Sequence, residues 1–403
     1  MQKKSATPTL NIMNNLNNTD CIVVGAGFSG SVTARKLAES GKKILILERR
    51  NHIAGNMYDE IDANGILVQR YGPHIFHTNS KEAYDFITRY DDWTEYHHRC
   101  SVVINEVVTP SPANFKTIDL LYDKSEAETL KAALTNHYRG KKSITILEML
   151  GCEEITIRKY AEKLFELNYR PYTVKQWGIA PEEIDPSILR RVPVRLDYTD
   201  GYFEDTYQVL PKNGYTHFFK KLLDHPNINM QLNTDAMSLL KVDSANRQIL
   251  FDGNPLAIPV IYTGSIDELL DNRYGQLPYR SMVFDFHTKS VESFQEAPVV
   301  SHPAASGYIR VTEYKKLPPQ TVPDITSVVY DYPVPANKSN RKEQYYPILT
   351  NDNTLLYNKY YADLSGIPNL NLCGRLADYK YYDMDATILR AFEITEKIWN
   401  GFE

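Results

Sequence analysis

Short unbroken apolar runs alternate along this chain with segments of helical periodicity, and the first of each meet at a glycine-rich turn. Cys21-Ile22-Val23-Val24 reads as a buried strand and Gly25-Ala26-Gly27-Phe28-Ser29-Gly30 as a loop. Val32, Ala34, Leu37 and Ala38 then recur on one side of a helix that stops at Gly41. A second apolar run over residues 43–47 ends at Glu48, which completes a strand–loop–helix–strand unit. Further on, Asn64-Gly65 predicts a hairpin. Asn79, with Glu82 as capping partner, predicts a helix whose buried face is Ala83, Phe86, Ile87 and Tyr90. From Ser125, capped with Glu128, to about Asn168 the periodicity is helical, broken at Arg139-Gly140 and Gly151. Residues 183–214 and about 268–344 alternate polar and apolar, as an antiparallel sheet requires. Val260-Ile261-Tyr262 and Leu370-Asn371-Leu372 read as buried strands returning to the first unit, and Ile388, Leu389, Phe392 and Trp399 mark a closing helix.

The turn carries candidate chemistry. In a GxGxxG loop Gly25 permits the tight turn, Gly27 lets the backbone approach a pyrophosphate and Gly30 lets helix and strand pack, while free helix amides face the anion. Phe28 and Ser29 lie in the same loop. Glu48 stands 18 residues beyond Gly30, close to the separation expected of a carboxylate that binds ribose hydroxyls. The segment from Arg49 through Gly55 and Asn56 is similar to the one FAD proteins lay along the pyrophosphate, so FAD is favoured over NAD. The expected fold is therefore α/β, with a discontinuous Rossmann-like FAD-binding domain over residues 20–95, 215–267 and 345–403. A helical bundle is inserted at 115–182, and 96–114, 183–214 and 268–344 form an antiparallel β-sheet substrate domain; 1–19 reads as a disordered extension.

Composition narrows the partners. With 403 residues, 24% charged and a net charge of −5, the chain lacks the basic excess of a nucleic-acid binder. Its four cysteines form no CxxC pair, which fits a reducing cytoplasm, and no apolar run is long enough to span a membrane. His74 and His77 have no acidic or thiol partner nearby in sequence, so no metal site is expected. No GxSxG elbow and no obvious Cys/His pair offers a protein nucleophile. The 29 tyrosines, many beside Arg or Asp, suit either strands or the recognition of sugars and phosphates.

Read together and in order, GAGFSG, GPHIFHTN, YTVKQWG, VPVRLDYTDGYF, LPYRSM, IRVTEY and CGRLADYKYYDMDATI resemble the UDP-galactopyranose mutases. The resemblance implies a nucleotide-sugar isomerase in which reduced FAD N5 attacks the anomeric carbon with no net redox change. It implies that Arg195 and Arg310 hold the pyrophosphate and that Tyr381 and Asp383 stand at the reacting end. It also implies substrate contacts from Trp177, Tyr207, Tyr332 and Asn114, and cofactor contacts from His74, Gly374, Arg375, Asp383 and Met384. A loop carrying Trp177 beside Gly178 is expected to close over substrate, and a cytoplasmic homodimer is expected. Asn168-Tyr169-Arg170-Pro171 and the 109–114 stretch depart from the family pattern, which leaves open another nucleotide sugar such as dTDP-fucose. An amine-oxidase-like flavoprotein and a non-catalytic nucleotide-sugar binder are the remaining alternatives.

Overall fold

The computed structural model describes residues 16–183, 186–190, 192–336 and 343–400, so most of the expected N-terminal extension lies outside the described residues. Its organising element is a five-stranded parallel sheet in the order Ile228–Gln231, Ile44–Leu47, Cys21–Val24, Val260–Tyr262, Leu370–Leu372. Period-two alternation sends successive side chains to opposite faces. Cys21, Val23, Ile44 and Ile46 pack with Val32, Phe218, Phe219 and Phe392 from the helices Phe28–Glu39, Tyr215–Leu223 and Met384–Asn400. Ile22, Leu45, Leu47 and Val260 face the other way, toward Phe251, Tyr360 and Leu364. With both faces covered, the inner strands Cys21–Val24, Ile44–Leu47 and Val260–Tyr262 are apolar almost throughout, as a buried parallel sheet demands, while the edge strand Ile228–Gln231 carries Asn229 and Gln231. The order places the first strand at the centre and its glycine loop at the carboxyl edge, where such sheets bind ligands.

A seven-stranded sheet lies beside this core, in the order Tyr346–Pro347, Tyr279–Lys289, Thr326–Pro335, Arg310–Glu313, Val299–Ser301, Cys100–Ile104, Val107–Ser111. It departs from the wholly antiparallel expectation at one pair, since Val299–Ser301 runs parallel to Cys100–Ile104. The chain enters this sheet at Cys100 long before it supplies the neighbouring strand, so no hairpin dictates the direction. Part of the 183–214 stretch also goes elsewhere. Val194–Arg195 pairs with Ser143–Ile144, and Tyr207–Pro211 pairs with Phe76–Thr78 and Trp93–Glu95. Alternation identifies a strand but not its partner.

The inserted helices bury Ile118, Leu130, Leu134, Ile157, Tyr160 and Leu164 in a core of their own. Their longest run continues from Ile155–Leu164 through a π-helical turn at Phe165–Tyr169 into Arg170–Trp177, past the point where sequence periodicity ends. The Asn64-Gly65 hairpin forms between Asp59–Ile61 and Leu67–Gln69, with Gly65 at φ 80°.

Candidate active site

Two clefts meet above the parallel sheet. The first is lined by the glycine loop (Gly25, Gly27, Phe28, Ser29), by Glu48, Arg49, Arg50, Gly55 and Asn56, and at its far end by Arg375 and Met384. Its floor is bare backbone: a Cβ on Gly55, at φ 56°, would lie 2.8 Å from the Cα of Gly27. Gly30 packs behind the wall, where a Cβ would lie 2.0 Å from the carbonyl oxygen of Gly25. Gly374 is likewise fixed from behind by Ser29. Glu48 is buried, its Oε2 accepting the Ala26 amide at 2.7 Å and its Oε1 the Arg50 amide at 2.8 Å, so the loop itself aims the carboxylate. A carboxylate at one end, a glycine floor flanked by arginines, and a helix N-terminus at the other end together fit FAD.

The second cleft lies between the seven-stranded sheet, the inserted helices and the N-terminal turn of the last helix. Its walls carry His74, His77, His98, Cys100, Tyr172, Trp177, Phe203, Arg310, Tyr346 and Tyr381, with Asn168 and Tyr169 from the π-helical turn. Arg375 and Met384 line both clefts, and Asp383 lies beside them on the second. The Asp383 carbonyl accepts the Thr387 amide at 3.0 Å, so the last helix starts at the junction.

Electrostatics in this cleft centre on Arg310. Its Nε donates to the fully buried Asp331, and although burial opposes its charge, that carboxylate outweighs burial and raises the pKa further. Arg310 is therefore a permanent cation. His74 Nδ1 lies 2.8 Å from the Gly72 carbonyl; a carbonyl only accepts, so Nδ1 holds the proton and Nε2 is left as acceptor. Burial, then the Arg375 and Arg310 charges, push its pKa down to about 3, and the ring is neutral. Aromatic walls complete the space. Tyr346 and Tyr381 lie parallel at 5.5 Å, Arg375 sits 5.0 Å and 5.1 Å from their ring centres, and Trp177 meets Tyr346 edge-on at 5.9 Å.

Four expected substrate residues stand off both cleft walls. Asn114 is fully buried as the cap of Phe115–Leu121, its Oδ1 accepting the Thr117 amide at 3.2 Å and its Nδ2 donating to Thr199 O at 2.9 Å. Those bonds occupy the side chain with structure. Tyr207 stacks on Tyr84 at 4.1 Å in the smaller sheet, and Tyr332 packs against Tyr308 at 6.1 Å and the Gly307 backbone. Arg195 is 2% exposed, bonded to Tyr202 O at 3.3 Å and 3.5 Å from Glu204. Trp177 ends a helix capped by left-handed Gly178 and is 6% exposed, a buried cleft residue rather than an open loop tip. The sequence also concealed a Cys/His pair: Cys100 Sγ lies 3.0 Å from His98 Nε2. Their i, i+2 spacing at a strand end was the available signal, because such residues share a face. His77 went unassigned as well; it stacks on Phe203 at 3.6 Å and its Nδ1 meets Asp205 at 2.8 Å, partners 126 and more residues away.

Comparison with known proteins places the chain in a family. Residues 167–381 match the family model described as UDP-galactopyranose mutase, and residues 23–90 match an NAD(P)-binding Rossmann-like domain. The chain is 36% identical over 390 residues to the UDP-galactopyranose mutase of Mycoplasma pneumoniae, covering 95% of this chain and 97% of that one. It is 34% identical over 379 residues to the dTDP-fucopyranose mutase of Escherichia coli, covering 93% and 97%. Among solved structures, that of a reduced UDP-galactopyranose mutase superposes with a TM-score of 0.72 at 16% identity, covering 95% of this chain and 94% of that one, a likeness of fold. With its glycine-floored cleft opening into a cationic, tyrosine-walled one, and related over nearly its full length to these enzymes, the chain belongs to the UDP-galactopyranose mutase family.

Proposed function

We propose that this chain interconverts UDP-galactopyranose and UDP-galactofuranose without net redox change. The observation that carries this is the meeting of the two clefts at Arg375 and Met384. When bound, reduced FAD supplies the nucleophile toward the anomeric carbon at that junction. Glu48 accepts ribose hydroxyls, and the glycine loop with Arg49 and Asn56 holds the pyrophosphate of the cofactor. Arg310 binds the substrate diphosphate as a fixed cation and stabilises the charge that develops as the nucleotide departs. The Tyr346–Tyr381–Arg375 stack and Trp177 flank the sugar and exclude water, while neutral His74 offers Nε2 as an acceptor. The N-terminus of the last helix, which starts just after Asp383, provides a positive end at the junction, which favours an anionic reduced cofactor. Arg195 lies off the cleft wall, so its contact with diphosphate is proposed on resemblance alone and requires its side chain to move.

Asn168 and Tyr169 on the cleft wall support a second substrate, because they replace the family's usual residues where the nucleotide sugar approaches. The dTDP-fucopyranose mutase relative makes dTDP-fucose the specific alternative. Chromatography of UDP-galactofuranose incubated with the holoenzyme, with and without dithionite and beside dTDP-fucofuranose, tests both. Conversion of the UDP sugar only under reduction is the expected result; conversion of the dTDP sugar alone changes the substrate but keeps the mechanism. Product formed with stoichiometric cofactor oxidation, or tight UDP binding without conversion, rejects the mutase in favour of an oxidoreductase or a binder. A cytoplasmic homodimer is also proposed on resemblance, and a monomer mass by light scattering or recovery outside the cytoplasmic fraction would reject that part.

A further inference from the structure

Asp378 is 8% exposed and lines neither cleft, yet three separate parts of the chain converge on its carboxylate. Its Oδ2 accepts the Gly374 amide at 3.1 Å, the Tyr382 hydroxyl at 3.2 Å and Arg390 Nε at 3.1 Å, and its Oδ1 accepts Arg390 Nη2 at 3.2 Å. Its own amide donates to the Gly374 carbonyl at 2.8 Å. The carboxylate thus closes the turn that leads from the strand Leu370–Leu372 into the last helix, and Arg390, in the second turn of that helix, clamps it through a bidentate pair. Burial opposes the Arg390 charge, but the Asp378 carboxylate outweighs it and raises the pKa, so Arg390 is a permanent cation.

What the clamped turn carries is the junction of the clefts. Arg375, which lines both, donates from Nη2 to Tyr382 O at 2.6 Å and from Nη1 to Tyr345 O at 3.2 Å. Its guanidinium therefore rests on the backbone of the residue whose hydroxyl Asp378 holds. The turn is not relaxed: Tyr379 sits at φ 48°, in the left-handed region that a bulky residue rarely enters. Its side chain is buried, with the hydroxyl 2.8 Å from Pro278 O and 3.1 Å from Ile348 O. Such backbone persists only where its surroundings over-determine it, here the core from outside and Asp378 from within. A strained turn bolted by an ion pair beside a cofactor cleft fixes the position of the group it presents there.

We propose that Asp378 and Arg390 are positioning residues: acting through Tyr382, they set the Arg375 guanidinium at the junction, where its charge favours the reduced cofactor over the oxidised one. This rests on the FAD-dependent mutase reading above. It gives work to an ion pair that touches neither ligand, and it makes the last helix a brace for the cationic wall as well as a source of its own positive end.

The test uses the FAD-loaded enzyme and reads the midpoint potential of the bound flavin against a reference dye, beside kcat/KM and thermal unfolding. Asp378→Asn keeps the shape and removes the charge facing Arg390. It is expected to make the potential more negative, by the equivalent of a roughly 10-fold loss of preference for reduced over oxidised flavin, and to lower kcat/KM by a similar factor. Arg390→Met does the same, and Arg390→Lys, which keeps the cation, restores part of the loss. Because the pair acts as a unit, the double variant loses no more than either single one. Glu393→Gln, which removes the exposed partner of Arg390 Nη1 at 2.9 Å, stays at wild type. A lowered melting temperature with the potential unmoved and kcat/KM within twofold of wild type shows that the pair only braces the fold, and overturns the proposal. Should Asp378→Asn fail to fold or to load FAD, Arg390→Met and Tyr382→Phe, which leave the Gly374 bond in place, decide by the same criterion. Failure of the mutase reading is separate, since it shows as absent sugar conversion by the wild type while the flavin potentials remain measurable.

Discussion

Arg310 and Asp331 show how one pair serves both folding and chemistry. Asp331 is fully buried in the seven-stranded sheet, and the guanidinium beside it compensates its charge. Asp331→Asn is expected to destabilise the fold by about 1–3 kcal/mol, because the partly exposed Arg310 guanidinium loses its charged hydrogen-bond partner; urea unfolding measures it. Arg310→Ala should lower kcat/KM by roughly 100-fold or more while the bound-flavin spectrum is retained, as for loss of an oxyanion-type donor. His98 gives a pH prediction of definite sign. Its folded pKa, about 3, lies below the ordinary 6.5, so the unfolded chain binds the extra proton and stability falls as pH drops from 6.5 toward 3. The slope from this residue alone is about 1.4 kcal/mol per pH unit, and His98→Asn should be flatter than wild type by that amount in denaturation series. Arg310 was legible from the sequence through resemblance, but Asp331 was not, since nothing in one strand announces its cross-strand neighbour.

At the scale of elements, local signals located helices to within a residue or two and missed where side chains were needed elsewhere. The helix expected to open at Asn79 is capped by Ser80, whose hydroxyl accepts the Ala83 amide, because the Asn79 amide is bonded to Asp205 and to Thr206. The bundle helix expected from Ser125 starts at Lys124, capped by Asp123. Ser80→Ala should therefore cost about 1 kcal/mol in thermal or urea unfolding, an effect that capping by Asn79 would not produce. Lys175 ties an element to a loop: its ammonium donates to the carbonyls of His302, Ala305 and Tyr308 at 2.6–3.0 Å. Lys175→Met is expected to destabilise by about 2 kcal/mol and to raise KM, since the helix carrying Trp177 loses its anchor to the sheet. An unchanged melting curve and KM would show that the tie is idle.

At the scale of the whole molecule, two clefts meet, and the first is lined by strand ends, the glycine loop and the last helix, the residues that would hold the cofactor. Removing FAD should lower the melting temperature, with about 2.7 kcal/mol lost between a hundredfold excess over Kd and none; equal curves for apo and holo forms would count against the assigned cleft. Gly30→Ala should prevent FAD loading altogether, because its Cβ has no room against the Gly25 carbonyl. The sequence by itself determined the nucleotide unit, its discontinuous return through Val260–Tyr262 and Leu370–Leu372 and the family, because apolar runs, glycine spacing and ordered motifs are local or collinear. Only the tertiary structure decided which strands pair, that Asn114 caps a helix while His98 meets Cys100, and that Arg375 and Met384 join the two clefts. Such relations depend on partners tens to hundreds of residues apart, and burial and hydrogen-bond demand are settled only once those partners meet.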